Sequence, residues 1–180
     1  MRAKLALLAL FLFASQARAD AEISEIKINL DAGRVLTSFT LRDAFDRRLA
    51  ERVDSGLPTS ILYRFELSRD RKRWWDQKLK TATLEVVAIY DAVTRDYTVN
   101  YKLDDKLVES RTVRERKALE EAMTTVDKLP VFSLAGVSQD GRLVVKVAAE
   151  MGSRTILSFI PVTINTDWRE SPKFRAPPEP

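Results

Sequence analysis

Residues 40–75 read TLRDAFDRRLAERVDSGLPTSILYRFELSRDRKRWW, and within this stretch the apolar pattern changes from helical to extended. Phe45, Leu49 and Val53 recur every four residues, which aligns them along one helical stripe and turns Arg47, Arg48, Glu51 and Arg52 toward water. Gly56 follows where such a helix must stop, because a residue without Cβ enters the left-handed conformation cheaply, and Pro58 cannot continue a helix. Beyond it Ile61, Tyr63, Phe65 and Leu67 alternate with Leu62, Arg64, Glu66 and Ser68, a strand with one fully apolar face. The stretch closes on four cations in five residues, Arg69 to Arg73, followed by Trp74 and Trp75.

Upstream, Ile26, Ile28 and Leu30 alternate with polar residues over Glu22 to Leu30. Asp31-Ala32-Gly33 turns the chain, and Val35, Thr37, Phe39 and Leu41 line a second strand, which predicts a hairpin. Downstream, the strand from Leu79 to Tyr90 carries Val87 and Ile89 on its second face, the mark of a central position. Asp91 to Asp96 forms the next turn, Tyr97, Val99, Tyr101 and Leu103 the next strand, and Asp104-Asp105 turns into a short strand at Leu107 to Arg111. Thr112 and Glu115 have capping-box spacing, which predicts a second helix with Leu119, Ala122, Met123 and Val126 as its stripe and Pro130 as its end. Strands near Val131 to Leu134, Leu143 to Ala149 and Thr155 to Ile164 complete the chain; Pro161 confines the last to an edge or a bulge. The expectation is a mainly β (α+β) fold: an antiparallel β-sandwich or strongly curved sheet with two packed amphipathic helices. It forms a single domain over residues 20–170. Residues 171–180, with four of the seven prolines, are expected to be a flexible tail.

The first nineteen residues read as a secretory signal peptide: Arg2 and Lys4, an apolar run from Leu5 to Phe13, and Ala17-Arg18-Ala19 before a polar segment. The run is far short of the roughly 20 residues that cross a bilayer. Removing the leader leaves 27 basic residues against 26 acidic, so the support for nucleic-acid binding disappears. The mature chain is expected in the periplasm or outside the cell, with no transmembrane segment. It has no cysteine and no histidine, which excludes disulfides, thiolate nucleophiles, histidine general bases and histidine-containing metal sites. Five glycines build neither a P-loop nor a dinucleotide fingerprint. No cofactor and no metal are implied.

The segments DSGLPTSILYRFELSRDRKRWWD (54–76) and IYDAVTRDYTVNY (89–101) resemble an uncharacterised bacterial family, domain-of-unknown-function family 4390. The leader, the "SGLP" turn before a long strand, the tryptophan after a basic loop and the "YD..TR.Y" hairpin all match its pattern. The resemblance implies a small exported protein, often encoded near a membrane sensor histidine kinase. It implies no activity, ligand or catalytic residue.

Carboxylate chemistry survives these exclusions. Asp70, Asp76, Asp91 and Asp96 flank aromatic-bearing loops and are candidates for a glycosidase pair; the plainer reading is turn formation and charge balance. Asp104-Asp105 lacks the spacing of a calcium loop. Arg69, Arg71, Lys72, Arg73, Trp74 and Trp75 are the candidate partner-binding residues, since arginine and tryptophan dominate interface hot spots and also suit a membrane surface. The alternative is a solvated hairpin with one tryptophan in the core. The expected function is a non-enzymatic protein-binding module of the envelope, associated with a membrane sensor. The competing expectation is a carrier or binding domain for a glycan or lipid, which a hollow core would favour.

Overall fold

The computed structural model describes residues 21–71, 76–156 and 160–177. The leader expected over 1–19 lies outside them. The chain runs β1 (Glu22–Ile23), β2 (Lys27–Asp31), β3 (Arg34–Arg42), α1 (Arg47–Asp54), β4 (Thr59–Asp70), β5 (Gln77–Asp91) and β6 (Asp96–Leu103). It continues through β7 (Lys106–Val113), α2 (Arg116–Thr124), β8 (Thr125–Ser133), β9 (Arg142–Ile156), β10 (Ile160–Asn165) and β11 (Arg169–Glu170). Every ladder is antiparallel.

The strands form two sheets. In the small one β3 pairs with β1, β2 and β8; in the large one the order is β10-β9-β4-β5-β6-β7, with β11 also on β9. The apolar faces of β3 and β4 meet: the Phe39 ring stands edge-on to Tyr63 at 5.3 Å between centroids and lies 5.9 Å from Phe65. Period-2 alternation supplies the rest of this core, with Leu84 and Val86 of β5, Val99 of β6, and Val145 and Val147 of β9 all buried. Burying a side chain of this size stabilises by about 1.5–3 kcal/mol, so the facing rows hold the sheets together without disulfides. Tyr63 and Ile61 have no exposed surface, so no water-sized void touches them.

The two helices close the sandwich. α1 starts where Asp46 Oδ1 accepts from the Leu49 N–H at 2.9 Å, buries Ala50 and Val53, and ends at Gly56 with φ +79°. α2 buries Leu119, Ala122 and Met123 and passes directly into β8. Its last carbonyls are satisfied from the large sheet: Tyr101 donates its hydroxyl to the Ala122 carbonyl and Tyr63 to that of Met123, each at 2.8 Å. Burial pushes the pKa of both tyrosines up. Asp54, ending α1, accepts from the Tyr97 hydroxyl at 2.8 Å and pairs with Arg116 at the start of α2.

Several boundaries differ from the sequence reading. The first strand is broken into β1 and β2, because Ser24 bonds to both backbone groups of Thr40 and lets Ile26 turn into the core. β7 is longer than expected and contains Thr112, which pairs with Thr98; no capping box forms, and Glu115 at the N-cap makes no side-chain cap bond. α2 ends at Thr124, so Val126 and Pro130 belong to β8. Pro130 is tolerated because, among the described strands, β8 pairs only with β3, and at a point where the register slips. Residues 171–177 are not a loose tail. Ser171 is buried and Phe174 exchanges two backbone hydrogen bonds with Leu143, at 2.8 and 3.0 Å. Pro161 does lie on an edge strand, β10, and β5 is central.

Candidate functional site

The basic stretch leaves β4 at Asp70 and returns in β5 at Gln77. Arg69 belongs to β4 itself: half-buried, it donates from Nη2 to the Ser138 carbonyl at 3.0 Å, and its stem passes over Gly141, where a Cβ would stand 3.5 Å away. Arg71 is exposed and bonds to Gln77 Oε1 at the loop base. Lys72, Arg73, Trp74 and Trp75 lie outside the described residues.

The candidate carboxylates are occupied in other ways. Asp70 is held by Lys173 at 2.9 Å and more loosely by Arg142 at 3.8 Å. Lys146 bridges Asp76 at 2.9 Å and Glu170 at 2.8 Å; its hydrogen bond keeps the Asp76 carboxyl below the usual range, while the pair with Glu170, and then Asp76, raises Lys146. Asp91 accepts from the N–H groups of Val93 at 2.8 Å and Thr94 at 3.3 Å, and Asp96 accepts from the Thr94 hydroxyl. Asp104 and Asp105, at φ +47° and +64°, make a two-residue hairpin turn, and Asp104 also accepts from the Thr83 N–H. Asp76 and Asp91 flank opposite ends of β5, roughly 45 Å apart for an extended strand of that length, far beyond any glycosidase pair. Among the described residues no group of three or more Asp and Glu side chains is placed to hold a metal.

A different concavity lies on the small sheet, built by irregularities on both edges of β3 at the same level. On one side Ser24 interrupts the strand: its N–H donates to the Thr40 carbonyl and its Oγ accepts from the Thr40 N–H, both at 2.8 Å. On the other, the register slips from Thr37↔Leu129 to Phe39↔Val126, so Asp127 and Lys128 together oppose Ser38. Ser38 Oγ accepts from the Lys128 N–H at 2.8 Å and donates to Asp127 Oδ1 at 3.0 Å. This holds Lys128 at φ +47°, a conformation lysine rarely adopts.

Between the two bulges runs a groove of ≈ 860 Å³ lined by Ser38, Thr40, Lys27, Arg42 and Lys128, with Glu25 and Asp127 also present. Arg42 pairs loosely with Glu22 at 3.8 Å. Among the described residues, no carboxylate pairs with the ammonium of Lys27 or of Lys128. The arrangement therefore offers charge and hydroxyls to a polar ligand. Sequence reading missed it, because bulges do not register in an alternating pattern and the lining residues come from segments about a hundred positions apart; the signal was Ser38 and Thr40 on the outer face of β3.

Residues 18–169 match the family model described as Domain of unknown function (DUF4390). The chain belongs to this family. Within the match fall both sheets' paired strands through β10, both helices and the whole small-sheet groove, whereas Ser171 and Phe174 lie beyond it. Searches of curated proteins and of solved structures return no match. Among the described residues of this DUF4390 chain, no helix is long and apolar enough to cross a membrane.

Proposed function

We propose that this protein is an exported, non-enzymatic binding module of the bacterial envelope that receives an acidic extended segment of a partner protein in the small-sheet groove. The extracytoplasmic part of a membrane sensor kinase is the first partner to test. The observation that carries this reading is the presence of two lysines, Lys27 and Lys128, with no ionic partner among the described residues, on opposite flanks of a hydroxyl-bearing groove. Glu25 and Asp127 are exposed in that open groove, and Asp127 is already engaged by the Ser38 hydroxyl. The filled core around Tyr63 removes the motive for a lipid carrier, while the hydroxyls leave a glycan as the alternative occupant.

The test is a titration of the purified mature protein with a fluorescent hexaglutamate peptide at low and high salt. Binding that weakens with salt and falls about tenfold or more in K27E/K128E supports the groove. No binding at low salt, or a double variant that binds like the parent, overturns it. The variant R71E/K72E/R73E runs alongside: loss of binding there, with the groove variant intact, assigns the contact to the basic loop instead.

A further inference from the structure

The large sheet ends at β7, whose outer side no described strand covers. Seven of its eight residues, Lys106 to Thr112, are exposed, including Leu107 at 63% and Val108 at 51%, and it contains neither proline nor glycine. An edge of that kind presents a row of free N–H and C=O groups. We propose that a second copy of this chain pairs with it, antiparallel about a two-fold axis at Ser110, joining the two large sheets edge to edge.

The register follows from charge. With the axis at Ser110, Glu109 of each copy faces Arg111 of the other, twice over, and Val108 faces Thr112. Moving the axis one residue sets Arg111 against Arg111 or Glu109 against Glu109, and like charges directly opposite are destabilising. The charged groups are already held in place on one face: Arg111 bonds to both carboxylate oxygens of Glu109, and its guanidinium lies 5.0 Å from the centre of the Tyr101 ring. A slip in the β6–β7 register leaves Val108 without a partner on β6, so regular pairing begins at Glu109. The paired segment is short, and the dimer belongs at the weak, concentration-dependent end of specific association.

Because the chain has no cysteine, a single introduced thiol reports on this geometry. In S110C the two thiols meet on the axis, at a Cα separation of about 4.5–5.5 Å that a disulfide spans. Mild oxidation should cross-link S110C at least about tenfold faster than V93C, whose site is 91% exposed but in the turn between β5 and β6. Equal rates overturn the proposal. Sedimentation of concentrated protein gives an independent reading: E109R should be monomeric, and E109R/R111E should dimerise with itself but not mix with the parent chain. An E109R variant that dimerises like the parent, or a double variant that stays monomeric while folded, also overturns it.

Discussion

Along β9 the large sheet is closed by a strap of interrupted strand, whereas along β7 it stops with no described strand laid over it. The strap combines β10, β11 and the residues between and after them. Where its backbone leaves the ladder, hydroxyls replace it: Thr166 Oγ1 accepts from the Ala149 N–H at 2.9 Å and Ser171 Oγ from the Val145 N–H at 3.0 Å. Pro161 and Pro172 carry no N–H donor, and Lys146 and Lys173 tie the strap to Asp76 and Asp70. β7 has charges and one bulge but no cover among the described strands. The contrast teaches that edge protection is local in this fold: one edge is built to exclude further strands and the other is left able to accept one.

Deleting residues 169–180 is the most severe way to test the contrast. It takes away β11, the Ser171 acceptor and the Phe174 pair, stripping the N–H groups of Leu143 and Val145 of their partners and uncovering buried apolar side chains of β9, and should cost about 3–5 kcal/mol in urea melts. A shift of the midpoint no larger than that of a surface substitution would show that the strap is decoration.

Alkali should act on the opposite side. The strap's hydroxyls belong to serine and threonine and do not titrate near pH 10, while the α2 side relies on Tyr63 and Tyr101. Burial raises the Tyr63 pKa in the folded chain, so its contribution is complete below the unfolded value of about 10 and is lost as pH rises beyond it, at about 1.4 kcal/mol per pH unit. Urea midpoints from about pH 8 to about pH 11 should fall steeply in the parent and less in Tyr63→Phe; parallel curves would remove Tyr63 from the account.

The smallest effect is expected on β7. Leu107→Ser with Val108→Ser should change the stability of the dilute monomer by no more than about 0.5 kcal/mol, since both side chains are already in water. A loss of several times that would mean the edge is covered in solution.

The parts of this architecture legible from sequence are those set by near neighbours. The four-residue spacing of Phe45, Leu49 and Val53, the stop at Gly56 and the alternation through Ile61 to Leu67 each report a local preference that the packing reinforces. Thr112 and Pro130 misled because their local signals competed with a ladder: Thr112 had a cross-strand partner in Thr98, and Pro130 fell where β8 leaves register. Ser171 and Phe174 looked like tail because their partners are on β9, more than twenty residues earlier in the chain. The groove was hidden for the same reason, its two bulges being set by Ser24 against Thr40 and Ser38 against Asp127 and Lys128.

The order of the strands along the chain also sets an order in time. The run from β4 to β7 consists of hairpins between neighbours and can assemble as soon as it is synthesised. The inner strand β3 must wait for β8, with Val35 meeting Phe132, and β4 for β9, with Leu62 meeting Glu150. Until then two long apolar strands have an unsatisfied side, and β9 in turn waits for the strap. A nascent chain therefore passes through a sticky stage that ends only once β8 and β9, from Thr125 onward, have been made, and a holding chaperone would be needed most before that point.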